Sequence, residues 1–143
     1  MKFEVCTEEL NINYMATITK FEDLEIWQLA RQQAKEIYQY YSYGTFNKDF
    51  ELLNQINAAS GSVMDNIAEG FDRSGNKEFI NFLIIAKGSN AETRSQLYRA
   101  FDRNHFIHKI FNELVSKNEV LGKKIMTFIQ YLRKSEYKGQ RYK

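Results

Sequence analysis

Between Ser60 and Leu97 the chain reads SGSVMDNIAEGFDRSGNKEFINFLIIAKGSNAETRSQL, and few folds can accommodate that stretch. Ile56, Ser60, Val63 and Ile67 recur at helical spacing before a break, and Phe79, Phe82, Leu83 and Ala86 recur after it. The break holds Gly70, Ser74, Gly75 and Asn76, residue types that end one helix and begin another. The spacing predicts an antiparallel helix pair, with Gly70 and Gly75 as its punctuation. None of the 143 residues is proline, which favours long helices and argues against a loop-rich fold.

Two further stripes extend the pattern. Trp27, Ala30, Ala34, Ile37, Tyr38 and Tyr41 predict a first helix over about 22–43, with Gly44 as its stop. The second helix is expected over about 48–69, with Asn47 as N-cap, and the third over about 76–103. Small residues at Ser60 and Gly61 suggest close helix approach in the second. Asn90 and Thr93 fall on the apolar face of the third and need hydrogen-bond partners if buried. Asn104 and His105 punctuate the next connection. Ile110, Phe111, Leu114, Leu121, Ile125, Phe128, Ile129 and Leu132 predict a fourth helix over about 107–134, with Asn118 intruding at its middle. Short loops make neighbouring helices antiparallel, so the expected fold is all-α: an up-down-up-down four-helix bundle with an N-terminal extension. The expected divisions are an extension over 1–20, the bundle over 21–134 and a basic C-terminal tail over 135–143. Met15, just ahead of the first stripe, is a candidate natural start.

Cys6 is the only cysteine, so no internal disulfide is possible, and the expected setting is a reducing cytoplasm. No apolar run reaches the ~18 residues of a membrane span. The N-terminus, with Glu4, Glu8 and Glu9, lacks the pattern of a secretion signal. The net charge of +2 hides a division: residues 1–72 hold 5 Lys/Arg against 12 Asp/Glu, and residues 73–143 hold 15 against 6. Such halves can attract each other within a subunit or between subunits, or the basic half can face a polyanion.

Signs of catalysis are weak. A di-iron bundle needs Glu-x-x-His on two helices. Here the two histidines, His105 and His108, share one stretch with Asp102, and no second cluster completes a metal site. The serines at 60, 62, 74 and 89 have no obvious histidine at hand. Asp65 and Glu69 form an i,i+4 acidic pair, a pattern more typical of a solvated face than of acid–base work. No cofactor motif is present. Basic residues are the stronger lead. Lys87 and Arg94 share one flank of the third helix, Arg99 and Arg103 another. Lys123, Lys124, Arg133 and Lys134 lie on the fourth. Cations of this kind suit phosphates, and the tyrosines among them (Tyr131, Tyr137, Tyr142) suit bases. The aromatic first helix, with Trp27, Tyr38, Tyr40 and Tyr41, offers the rival expectation of a protein-binding scaffold.

FEDLEIWQLA at Phe21–Ala30, DNIAEGF at Asp65–Phe71 and KEFINFLIIAKGSNAE at Lys77–Glu92 together resemble the four-helix-bundle proteins encoded in 23S ribosomal RNA intervening sequences. The resemblance covers Phe21 to Lys134 and is most specific in the second and third helices. It implies a bacterial cytoplasmic bundle without known catalysis that assembles into a closed ring, a homopentamer. Related accessory proteins of diversity-generating retroelements bind nucleic acid, so RNA or DNA is the implied partner. The motif positions Asn66, Glu69, Gly70, Gly88 and Ser89 carry over as structural, holding the second helix against the third. Residues 1–14 precede the family's usual start. Gly75 stands where the family often has Ser, which leaves Ser74 or Asn76 to cap the third helix.

Overall fold

The computed structural model describes residues 18–42, 44–73 and 75–141, with side chains as far as Ser135. It contains four α-helices: α1 (Glu25–Gln39), α2 (Phe50–Asp72), α3 (Asn76–Asp102) and α4 (His108–Arg141). No strand occurs among the described residues. In order round the bundle, α1 packs on α2, α2 on α3, α3 on α4 and α4 back on α1. The α2–α3 contact is the most extensive of these and α1–α4 the least. The expected up-down-up-down bundle is the fold observed.

Several helix ends differ from expectation, each for a local reason. The first helix is short because single 3₁₀ turns occupy Phe21–Asp23 and Tyr40–Ser42 at its two ends. Gly44 then turns the chain with φ +58, a left-handed conformation that glycine adopts without strain. The cap of α2 is Asp49 rather than Asn47. Its carboxylate accepts from the Leu52 amide at 3.4 Å, while Asn47 lies in a 3₁₀ turn over Phe46–Lys48. Gly70 is not a helix stop, because α2 continues through it to Asp72. Gly75, at φ +120, holds the cap position of α3 without a side-chain bond, and Asn76 is the first helical residue. Ser74 lies outside the described residues. The stop at Asn104 is a Schellman turn: Asn104 is left-handed at φ 62, its amide bonds to the Phe101 carbonyl at 2.9 Å, and that of His105 bonds to Ala100 at 2.9 Å. Beyond Lys134, α4 continues to Arg141, so most of the expected tail has helical backbone. Of the extension, only residues 18–20 are described, and Met15 lies outside.

The core has two apolar sections. One, at the α2–α3 turn, gathers Leu24, Ile67, Leu83, Ile125 and Ile129 with their neighbours. The other, at the opposite end, gathers Ile37, Phe46, Leu52, Leu97 and Phe111 with theirs. Between them Gln33, Asn90 and Asn118, all under 7% exposed, bridge α1, α3 and α4. Asn118 Nδ2 donates to Gln33 Oε1 at 2.7 Å and to the Asn90 carbonyl at 3.0 Å. Gln33 Nε2 donates to Asn90 Oδ1 at 3.1 Å, and Asn90 Nδ2 to the Asn118 carbonyl at 3.0 Å. Thr93, also buried, bonds to the Ser89 carbonyl at 2.9 Å. Burying an amide costs least when it is satisfied in this way.

Candidate nucleic-acid interface

On the outer side of α3 and α4 the antiparallel packing leaves a groove of about 350 Å³. Lys87, Arg94 and Lys123 line it, with Ala91, Gly122 and Met126 between them and Glu119 on its α4 wall. The spacing 87, 91, 94 keeps these α3 residues on the flank that faces α4. A side chain at Gly122 would bring its Cβ to 3.2 Å from Asn90 Nδ2, so the glycine leaves room for the buried amide beneath the groove. Lys87 and Lys123 have no ion-pair partner among the described residues, and Arg94 reaches Glu119 only at 4.0 Å.

The other predicted cations are dispersed. Arg99 donates to Gln55 of α2 at 2.6 Å, and Arg103 pairs with Asp49 at 2.8 Å, so this flank faces α2. Lys124 pairs with Glu25 across the α1–α4 seam at 2.6 Å. Arg133 and Lys134 are exposed near the far end of α4. The structure thus gathers three of the eight cations into one groove.

The charge division between the halves is partly neutralised within the subunit. Glu25–Lys124, Glu36–Lys117 at 2.8 Å and Asp49–Arg103 all join the acidic first half to the basic second. The Glu36 carboxylate raises the Lys117 ammonium above its usual range. Remaining acid collects on α2, where Asp65, Glu69 and Asp72 line a second groove with Phe21 and Arg73. Glu69 is half exposed and pairs with Arg73 at 2.9 Å.

The motif residues divide by role. Asn66 Nδ2 donates to the Ser62 carbonyl at 2.8 Å and to its hydroxyl at 3.0 Å, and that hydroxyl meets Ser89 Oγ at 2.9 Å across the α2–α3 seam. Gly70 is a close-approach residue: a Cβ there would lie 2.6 Å from that of Phe82. Gly88 is exposed with open space around it, and Glu69 faces solvent, so neither holds α2 against α3.

Sequence reading missed the cluster joining the two connections at one end of the bundle. His105 Nε2 lies 2.8 Å from Asp49 Oδ2, its Nδ1 lies 2.7 Å from Thr45 Oγ1, and Phe46 stacks on its ring at 4.9 Å. A carboxylate only accepts, so Nε2 carries the proton. Hydrogen bonds from Arg103 and then His105 hold the Asp49 carboxyl down to about 2 from an ordinary 3.8. Carboxylate, imidazole and hydroxyl in line also occur in hydrolytic triads. Here Arg103 and the α2 amide share the carboxylate, which makes the cluster a clasp. The only signal in the sequence was an Asp in helix-capping position and a His beside a turn. His108 instead contacts Phe101, Phe111 and Asn112. Among the described residues no three His, Cys, Asp or Glu side chains are grouped to hold a metal ion.

The first-helix aromatics are mostly engaged internally. Trp27 packs edge-on against Phe21, Tyr40 against Phe106, and the Tyr41 hydroxyl bonds to the Leu53 carbonyl at 3.3 Å. Burial, with Tyr38 close by, pushes the Tyr41 phenol up to about 12. Tyr38 is the one left largely exposed. No helix among the described residues is long and apolar enough to cross a membrane.

No curated protein matches the chain. Among solved structures, a protein of unknown function from the S23 ribosomal protein family of Bacteroides thetaiotaomicron superposes with a TM-score of 0.66 at 20% identity. The match covers 73% of this chain and 97% of that one, and it concerns the fold. The family model described as 23S rRNA-intervening sequence protein matches residues 22–127, from the turn before α1 well into α4. With that span matched, the chain belongs to the 23S rRNA-intervening sequence protein family.

Proposed function

We propose that the chain is a non-enzymatic, cytoplasmic bundle that self-associates and binds structured nucleic acid through the α3–α4 groove. The observation that supports this reading is the meeting of Lys87, Arg94 and Lys123 in one groove, two of them without a carboxylate partner. Cations held that way release phosphate counterions when a nucleic acid binds, which makes affinity steeply salt-dependent. Self-association, in the closed homopentamer that the family resemblance implies, has a candidate surface in the acidic groove of α2, which a basic surface of a second copy would meet.

The test is sizing of the purified protein by light scattering before and after nuclease treatment, with anisotropy of a labelled stem-loop RNA across a salt series. The expected results are a multiple of the 16.9 kDa chain mass, copurifying nucleic acid, and affinity that falls with salt. A single-chain mass would remove the ring. Unchanged anisotropy at low salt and micromolar protein would remove the nucleic-acid role.

A further inference from the structure

The row that supplies Lys87, Ala91 and Arg94 to the groove continues one helical turn to Tyr98. Tyr98 is 49% exposed although it is a large aromatic. Its ring is braced edge-to-face on Phe111 of α4 at 5.0 Å and 80°, and Phe111 in turn stacks on Phe101 at 4.3 Å. A flat ring is thus held at the α3–α4 seam about 6 Å along the helix from the nearest groove cation. Stacking on such rings is how proteins hold unpaired bases, and the contact tolerates any base.

The size of the groove argues in the same direction. About 350 Å³ is the scale of a small-molecule site, with room for a nucleotide or two. Glu119 is the odd residue. A carboxylate beside three cations repels phosphate, yet it is half exposed and only loosely paired with Arg94. A carboxylate there can accept a hydrogen bond from a hydroxyl, and the ribose 2′-hydroxyl is the group that distinguishes RNA from DNA.

Building on the nucleic-acid reading above, we propose that this groove takes an unpaired RNA strand, with a base stacked on Tyr98, phosphates on Lys87, Arg94 and Lys123, and a 2′-hydroxyl on Glu119. The partner is therefore a loop, bulge or end of a folded RNA.

The experiment compares the anisotropy of three fluorescein-labelled probes of equal length: oligouridylate, oligodeoxyuridylate and an RNA duplex. Wild-type protein is measured beside Tyr98→Ala, Tyr98→Phe and Glu119→Ala, each confirmed as helical by circular dichroism. Wild type is expected to bind oligouridylate at least about tenfold tighter than the duplex. Tyr98→Ala should weaken oligouridylate about tenfold with the duplex unchanged, while Tyr98→Phe keeps the ring and the affinity. Glu119→Ala should bring the DNA strand close to the RNA strand. Equal binding of strand and duplex by the wild type overturns the proposal and leaves the broader reading standing. So does a Tyr98→Ala protein that loses nothing, or that loses affinity for strand and duplex alike. Binding of none of the three probes at low salt defeats the broader reading as well.

Discussion

The Asn118 side-chain amide donates to Gln33 Oε1 at 2.7 Å across the buried middle of the bundle, tying α4 to α1 over 85 residues of sequence. Each end of that bond is also engaged with Asn90, so no member can be removed without stranding another.

Asn118→Leu should therefore destabilise the protein by about 2–3 kcal/mol, the cost of leaving buried acceptors without donors. Replacing the whole set (Gln33→Met, Asn90→Leu, Asn118→Leu) should recover most of that loss, since apolar groups of similar shape strand nothing. Urea unfolding of the single and triple variants checks both. A single variant within about 0.5 kcal/mol of wild type would show that the amides are not coupled.

Two glycines one helix apart should respond in opposite directions. Gly70→Ala places a methyl against Phe82 and should cost about 1–3 kcal/mol through overpacking. Gly88→Ala meets open space in mid-helix and should stabilise by up to about 1 kcal/mol. Thermal unfolding distinguishes them, and equal shifts would contradict the packing described at the α2–α3 turn.

The clasp at Asp49 predicts an acid limb. Its carboxyl is depressed from 3.8 to about 2 in the folded chain, so the unfolded state binds the proton more readily. The stabilisation is fully present above the ordinary value and is lost as pH falls through the folded value. Between pH ~4 and ~2 the wild type should lose stability faster than Asp49→Asn, which has no proton to gain there. Superimposable pH profiles would exclude the depression.

Groove and non-groove cations should separate by readout. Lys87→Ala and Lys123→Ala should each weaken RNA binding and flatten its salt slope by about 0.7, with stability unchanged. Arg103→Ala and Lys124→Ala should leave the slope alone and lower the unfolding midpoint slightly through their lost pairs. The reverse pattern would move the contact surface to another face.

Much of this fold was legible because helix periodicity and the lack of proline leave little choice. Ile67, Leu83 and Leu97 fall on core faces for the reason their spacing suggests. Asn90, Thr93 and Asn118 were visible as intruders, but Gln33 was not, because a lone Gln on a helix has no period of its own. Gly70 was misread as a stop because glycine serves both helix ends and close approach, and only the distance to Phe82 separates them. Residue spacing separated two flanks of α3, Lys87 with Arg94 and Arg99 with Arg103, and the packing then turned the first toward α4 and the second toward α2. Which cations carry partners was not, since Glu25, Gln55 and Asp49 lie 44 to 99 residues away.

Of the four rods, α1 is the shortest at 15 residues, flanked by 3₁₀ turns and joined to α4 over the least extensive seam, which Lys117 and Lys124 fasten beside the buried Gln33–Asn118 bond. Charge pairs weaken in salt, more at Lys117, which is open to solvent, than at the half-buried Lys124–Glu25 pair, while the closest α2–α3 approach, Gly70 against Phe82, is apolar. Of the four helices the first to peel is therefore α1, and its backbone deuteration should run ahead of the others', earlier in brine than in dilute buffer.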